Sequence, residues 1–504
     1  MMSTHTTWLK SASIEGWDEA IARTRRAQQA WAAKPVRQRL AVVRRLRHLI
    51  AERADALAQT LPETANRSRA DTLVVEVLPL ADACRFLERE AKGLLAPKRL
   101  RHRPLWMSGV VAEVQRQPLG VVLIMAPSNY PLLLPGVQLV QALVAGNGVL
   151  LKPGAGGLAA ASMLAELLGL AGLDAALVHV LPEAPEAAMQ AIEWGVDKVV
   201  LTGSAETGTK VLAALAPQLT PAIMELSGCD AAFVRPDAEL ELVVSALEFS
   251  FRLNGGATCI APRRVFVPPS LAPTLESRLA ERVRHLGPFD VAPHAGALAR
   301  QLVQQACESG ARLLSGGFEE DARMRPVILA DVTPEMAVLR TEVFAPVLSL
   351  MRVADDTAAL EAASCCPYAL GAVVFGQEKT ARELAARVRA GVVLINDVIV
   401  PTADARFPFG GLGRSGYGVT RGAEGLLEMT AIKALSVRRG HWRPHYDPPH
   451  PGHEDLFRAY IQAVHGAAWR QRLAAMGAGL RTLTQLPRPK RSTSFWANFE
   501  KGSN

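Results

Sequence analysis

Four short segments hold side chains that can do chemistry. The first is Asn254-Gly-Gly-Ala-Thr-Cys259-Ile-Ala-Pro262. Its glycines let the backbone approach a ligand closely. Arg263 and Arg264 follow directly, where cations can favour a thiolate. The other reading of Cys259 is a small buried hydrophobe, the usual state of a free cysteine. The second segment, Met224-Glu225-Leu226-Ser227-Gly228, sets a carboxylate among apolar neighbours. Desolvation there raises its pKa towards that of a general base; a salt-bridged glutamate at a strand end is the alternative. In the third, Pro127-Ser128-Asn129-Tyr130-Pro131, prolines fix Asn129 just past an apolar run. An amide N–H₂ held there can donate to a developing oxyanion, or simply serve a turn. The fourth, Thr202-Gly-Ser204-Ala-Glu-Thr-Gly208, joins a strand to a helix and can offer a helix N-terminus to a phosphate. It is neither a G-x-G-x-x-G fingerprint nor a P-loop.

The elements around these segments alternate. Apolar, β-branched runs at Gly120–Ala126, Gly148–Leu151, Leu177–Leu181 and Lys198–Leu201 predict buried parallel strands. Helical periodicity fills Leu133–Leu143 and Leu158–Leu168 between them. Strands alternating with helices indicate a doubly wound α/β sheet, whose ligands bind at the C-terminal strand ends. A further αβ region starts near residue 228 and runs to about 420, with strands at Arg264–Val267, Val347–Met351, Ala372–Phe375 and Val392–Ile395. Residues 14 to 60 read as helices broken at Pro35, and Gly109–Pro118 alternates like a strand or hairpin.

Length and composition bound the rest. At 504 residues the chain is too long for one core and predicts two or three domains. Six cysteines are scattered, none in a C-x-x-C pair, so a zinc site or disulfide framework is not expected. With no secretory signal read at Met1–His5, the expected compartment is the cytoplasm. The net charge is +8, and all but one of those charges belong to the tail. Leu456 to Phe499 carries Arg458, Arg470, Arg472, Arg481, Arg488, Lys490 and Arg491 and no acid. A nearly neutral body argues against nucleic acid as partner. Pro444 to Pro451 reads as a linker, with four prolines in eight residues. Beyond it, Phe457, Tyr460, Ile461 and Val464 form one helical stripe, and Leu473, Met476, Leu480 and Leu483 another. The tail can pack on the body or across an oligomer, cap a substrate tunnel, or make peripheral contact with an anionic membrane.

Taken together and in this order, the segments resemble the aldehyde dehydrogenase superfamily over nearly all of residues 14 to 437. The matching stretches are Ala126-Pro-Ser-Asn-Tyr-Pro131, Leu151-Lys-Pro153, Thr202-Gly-Ser204, Glu225-Leu-Ser-Gly228, Cys259-Ile-Ala-Pro262, Glu342-Val-Phe-Ala-Pro346, Asn396 and Pro408-Phe-Gly-Gly-Leu-Gly-Arg-Ser-Gly416. The 34 residues from Glu225 to Cys259 also look like that family's base-to-nucleophile interval. The Asn-Tyr-Pro and Cys-Ile-Ala-Pro forms look most like the branch acting on medium-chain, fatty or aromatic aldehydes. The resemblance implies an α/β fold with a Rossmann-type cofactor domain (1–107 and 120–227) and an α/β catalytic domain (228–420). It further implies small oligomerisation elements (108–119 and 421–440), with residues 441–504 a basic extension. It implies Cys259 as nucleophile, Asn129 with the Cys259 N–H as oxyanion hole, and Glu225 as the base that activates water. Lys152, Gly203 and Ser204 would meet the adenosine ribose and pyrophosphate of NAD or NADP. Glu342 would hold the nicotinamide ribose, and Phe344 would pack beside the nicotinamide. The expected product is a carboxylic acid made through a thioester, by a homo-oligomer (dimer or tetramer).

The chain departs from the family pattern at several points. Ser128 stands where Trp is common and Ala257 where Gln is common, which keeps open a non-catalytic scaffold. Leu226-Ser227-Gly228-Cys229 replaces a usual Leu-Gly-Gly-Lys. CoA-acylating relatives typically lack a carboxylate at the position of Glu225, so its presence favours hydrolysis. After Lys152-Pro153 the chain reads Gly154-Ala155-Gly156, where a Glu often selects NAD. The expectation from this stretch is dual cofactor use or a preference for NADP.

Overall fold

The computed structural model describes residues 17–486 apart from 62, 65, 321, 441, 442 and 447. Residues 14–16 of the expected helical region and the tail cations Arg488, Lys490 and Arg491 lie outside the described residues. The chain divides into two compact units, one of residues up to Lys98 with Val114–Lys433, the other of Arg99–Glu113 with residues from Ala434.

Among its described residues the first unit contains two large sheets and a two-stranded one, Tyr368–Ala369 with Leu412–Gly413. One has six strands in the order Gly416–Tyr417, Ala222–Leu226, Lys198–Gly203, Val121–Met125, Gly148–Lys152, Val178–Val180. Its neighbours run parallel except at the Gly416–Tyr417 edge, which is antiparallel to Ala222–Leu226. Val121–Met125 is buried at every position, as a strand covered on both faces must be. Helix Leu133–Ala145 is also buried along its whole length, which is why its sequence is apolar but for Gln138 and Gln141, whose amides donate to Thr202 and to the Gly422 carbonyl. It stops at Gly146, which takes φ 101°, the left-handed cap that a side chain resists. The strand order reverses between Val121–Met125 and Lys198–Gly203. That is a topological switch point, where open α/β sheets bind ligands at their carboxyl ends.

The second sheet has a parallel core in the order Arg323–Ala330, Val347–Arg352, Pro262–Val267, Asp230–Val234, Gly371–Phe375, Val392–Ile395. Arg312–Phe318 and Phe289–Asp290 pair antiparallel with Arg323–Ala330. Alternation did not reveal Asp230–Val234, because its residues are buried on both faces. The chain passes from the first sheet to the second between Leu226 and Asp230. Glu225 therefore ends one sheet just before the other begins.

The second unit holds residues 99, 110–113 and 434–438 of a three-stranded sheet, Lys98–Arg99, Val110–Pro118 and Thr430–Arg438, the oligomerisation sheet of this fold. It also holds helices Gly452–His465 and Trp469–Gln485. Pro444–Tyr446, expected as linker, forms one short 3₁₀ turn, and Pro451 leads into the first of these helices. Among the described residues no helix is long and apolar enough to cross a membrane.

Candidate active site

Cys259 follows a turn that few sequences could make. Asn254, Gly255 and Gly256 take φ of 54°, 59° and 75° in succession. A Cβ on Gly256 would stand 3.1 Å from the Pro346 backbone, so this left-handed run needs glycine. Arg263 braces the loop from beneath, donating to the carbonyls of Ala345 and Gly256. Arg264 donates to the carbonyls of Cys229 (2.7 Å) and Ala363 (3.0 Å). The two arginines expected to favour a thiolate are thus anchored as structural braces. Burial pushes the Cys259 thiol up to about 12, with the charges of Glu225 and Asp230 adding to the rise. Arg421 and the N–H of Ile260 oppose it. The resting sulfur is therefore a thiol.

Glu225 lies on strand Ala222–Leu226, opposite Gly416 on one side and Thr202 on the other. It is 3% exposed. Its Oε2 accepts from Thr420 Oγ1 at 2.8 Å, while Oε1 is buried with no hydrogen-bond partner among the described residues. Burial raises its pKa, opposed by Arg421 and by the Thr420 hydroxyl. A buried carboxylate with one oxygen anchored and one free is poised to accept a proton. Arg421 is itself buried, donates to the Thr402 carbonyl and lies over the Phe409 ring at 4.5 Å.

Asn129 is stitched to the cysteine loop. Its Nδ2 donates to the Ala257 carbonyl at 3.0 Å, and its Oδ1 accepts from Tyr130 N at 3.1 Å. An amide carries two N–H groups, so one remains for a substrate oxygen. Tyr130 and Thr258, the residue before the cysteine, share a hydroxyl–hydroxyl bond of 2.7 Å. Behind them is a buried ion pair. Arg67 donates to Glu76 at 2.8 Å and to the Asn129 carbonyl at 2.7 Å. Glu76 accepts from the N–H groups of Leu132 (3.2 Å) and Leu133 (2.7 Å), at the start of helix Leu133–Ala145.

The residues expected to hold a dinucleotide sit at the carboxyl ends of the first sheet. Lys152 ends its strand half-buried, its pKa lowered by burial against the opposing charges of Glu183 and Glu186. Ser204 caps helix Ala205–Leu215, its hydroxyl accepting from Thr207 N at 3.2 Å. The Gly203 carbonyl accepts from Ser227 N at 3.0 Å, and the Ser227 hydroxyl reaches both that carbonyl (3.2 Å) and Glu342. Burial raises the Glu342 carboxyl, and Ser227 lowers it. Phe344 is half-buried in the same irregular segment. An open row of strand ends, a helix N-terminus, a cation and a carboxylate fit a nicotinamide dinucleotide.

The structure brings Cys259, Asn129 and Glu225 to one locus and sets Ser204, Gly203 and Glu342 on a chain of contacts leading to it. Lys152 stands apart at the neighbouring strand end. Thr420, Arg421, Arg67 and Glu76 went unnoticed in the sequence. Glu76 had a signal, since it is the one charge in Leu73-Val-Val-Glu-Val-Leu78. Glu183 also went unnoticed. Its carboxylate accepts from Gly156 N (3.1 Å) and Leu158 N (2.8 Å). The stretch after Lys152 that lacks a carboxylate in sequence thus receives one from the segment following strand Val178–Val180.

Comparison with known proteins agrees with this geometry. The model of the aldehyde dehydrogenase family matches residues 3–435. A Methylomonas protein named 4,4'-diapolycopene aldehyde oxidase is 28% identical over 460 residues, covering 89% of this chain and 87% of its own. A Mycobacterium tuberculosis protein, named provisionally as an NADP(+)-dependent succinate-semialdehyde dehydrogenase, is 32% identical over 441 residues and 84% of either chain. The crystal structure of an NAD-dependent aldehyde dehydrogenase from Sinorhizobium meliloti superposes with a TM-score of 0.81 at 27% identity, covering 86% of this chain and 89% of that one. With a family match over most of its length and the switch-point sheet in place, the chain belongs to the aldehyde dehydrogenase family, as an NAD(P)-dependent enzyme.

Proposed function

We propose that the protein oxidises a hydrophobic aldehyde, aliphatic or aromatic, to its carboxylic acid through a thioester on Cys259. The observation that carries this reading is Glu225, one oxygen held by Thr420 and the other buried and free. The Cys259 thiol passes its proton to water as the sulfur adds to the carbonyl carbon. The oxygen that becomes negative meets the spare N–H of Asn129 and the Cys259 N–H, donors already in position. The bound nicotinamide supplies the two-electron acceptor for the hydride that leaves the same carbon. Glu225 then takes a proton from water as it attacks the thioester, the carbon–sulfur bond breaks, and the acid departs. A carboxylate at this position supports hydrolysis over transfer to CoA, and its geometry supports a working enzyme over a scaffold.

Cys259 packs against the apolar cluster that contains Leu253, Ile260, Val398 and Ile399, which supports an apolar aldehyde. Arg263 and Arg421, the cations near the sulfur, are already bonded to backbone carbonyls. That counts against a substrate carrying its own carboxylate. Glu183 supports NAD as the preferred cofactor, because its charge beside Lys152 and the start of helix Leu158–Leu170 would repel a ribose 2′-phosphate. Gly154-Ala155-Gly156 alone pointed instead to dual cofactor use or a preference for NADP, and the two cofactors assayed side by side decide between these readings. Ile432, Leu435 and Val437 are exposed on strand Thr430–Arg438, which supports a homo-oligomer built through that sheet. All six cysteines are free, which suits a reducing compartment such as the cytoplasm.

The test is reduced-cofactor production by the purified protein over aldehydes of rising chain length and several aromatic ones, with NAD and NADP separately and Cys259→Ser alongside. Turnover that disappears in the variant is expected. Cofactor binding with no turnover on any aldehyde would replace this reading with the scaffold.

A further inference from the structure

Helices Gly452–His465 and Trp469–Gln485 invert the usual rule for a helix pair in water. They run antiparallel: Gly452 lies by Leu486, Gly479 by Ala459, and Arg472 Nε donates to the Ala463 carbonyl at 2.9 Å. The buried residues of the seam are small, Ala459 on one helix and Ala475 and Gly479 on the other. The large apolar side chains are outside. Trp469, Leu473, Met476, Leu480 and Leu483 recur at alternating intervals of four and three residues, and each is between 53% and 66% exposed. Phe457, Ile461 and Val464 repeat the pattern on the first helix and are exposed too. Soluble helices bury such a stripe.

Counting about 100° per residue, each stripe lies about 120° round its helix from the seam, in the same rotational sense. In antiparallel helices that brings both stripes to one side of the pair. The longer stripe extends roughly 21 Å, from Trp469 to Leu483. By the same count Arg470 and Arg481 fall on its outer flank and Arg472 on its inner one. From Leu456 to Leu486 there is no acid. Arg470 and Arg481 form no ion pair among the described residues, whereas Arg458 is paired with Glu454 and Asp455.

We propose that this face rests on an anionic lipid surface, with the apolar stripe in the acyl boundary and the flanking arginines at the phosphates. The charges choose the occupant. The carboxylates of the pair, Glu454 and Asp455, are already matched by Arg458, so a second copy would bring Arg470 and Arg481 against arginines with no free carboxylate to meet them. An anionic bilayer supplies both the apolar layer and the missing negative charge. Neither helix is apolar enough to cross a membrane, so the pair lies along the surface. The inference does not depend on the catalytic reading, and the two stand or fall separately.

The test is sedimentation of the full-length protein with vesicles of phosphatidylcholine alone and of phosphatidylcholine mixed with phosphatidylglycerol. The mixed vesicles are expected to hold the protein, and added salt to release it. Each arginine lost in Arg470→Ser/Arg481→Ser is expected to lower partitioning about fivefold. Leu473→Ser/Leu480→Ser is expected to lower it by more than tenfold. Because all four side chains are exposed, the thermal melt of each variant should match that of the parent. No binding to the mixed vesicles at low salt, or equal binding by parent and variants, would overturn the proposal. So would a serine pair that reduces the subunit number by light scattering while vesicle binding persists, since the face would then join two copies.

Discussion

Thr420→Val isolates the state of Glu225. The Thr420 hydroxyl donates to Oε2 at 2.8 Å, and the carboxylate is otherwise enclosed. A hydrogen bond to a charged group contributes about 1.5–3 kcal/mol to the ionised form. At 1.36 kcal/mol per unit, its loss should raise the Glu225 pKa by about 1–2 units. The direction adds to the rise that burial already imposes. In the proposed mechanism deacylation needs Glu225 ionised, so its rate should fall about tenfold for each unit that the pKa stands above the working pH. Hydride transfer precedes that step. Stopped-flow recording of reduced cofactor should therefore show a first burst of near-normal amplitude followed by slowed steady turnover. The acid limb of the steady rate should move up by about 1–2 units. An acid limb that stays in place, or a burst lost together with steady turnover, would refute Glu225 as a base acting after hydride transfer.

Three further outcomes are expected. Glu183→Gln should raise the NADP-to-NAD ratio of kcat/KM by about tenfold or more, since it removes one charge beside the ribose site; an unchanged ratio would remove Glu183 from cofactor choice. In the cofactor-free protein, alkylation of Cys259, followed by mass spectrometry of its peptide, should climb about tenfold per pH unit from pH 7 to 10. That follows from a thiol pushed up to about 12, and a plateau below pH 9 would contradict it. Arg67→Met should lower the melting temperature more at pH 8 than at pH 6. Glu76 has a folded-state pKa raised to about 7, mainly by burial and against the pull of Arg67. The stability it confers is full below the unfolded value and is lost as pH rises through the folded one. Without Arg67 the folded pKa rises further, so the gap between variant and parent widens above neutrality. Equal losses at both pH values would place the ion pair's importance elsewhere.

The sequence reading succeeded where the signal is local. The strands Val121–Met125, Gly148–Lys152 and Lys198–Gly203 were legible because burial on both faces demands unbroken apolar runs. Asn129 and Cys259 stood out because prolines or glycines shape the few residues on either side. What escaped was contributed across long separations. Thr420 reaches Glu225 over 195 residues, through the short antiparallel pairing of Gly416 with Glu225. Glu183 reaches the start of helix Leu158–Leu170 over 25 residues and sets a carboxylate beside Gly154-Ala155-Gly156, where the local sequence shows none. Arg263 and Arg264 are next to Cys259 in sequence and their guanidinium groups are bonded to carbonyls. Arg263 still interacts with the charge of Cys259, and Arg421, 162 residues away, is a further cation opposing the rise of the thiol that no local signal announced. In the tail, the two stripes were legible, but Tyr460 turned out half-buried, and the small seam that leaves both stripes exposed required the fold.

The most direct test is to stop the reaction at its covalent stage. Glu225→Gln, mixed with cofactor and an aldehyde and then acid-quenched, should produce about one reduced cofactor per site and stall. Mass spectrometry should then find the acyl group on the Cys259 peptide. Sustained turnover at the parent rate, or an acyl group on another residue, would contradict the account.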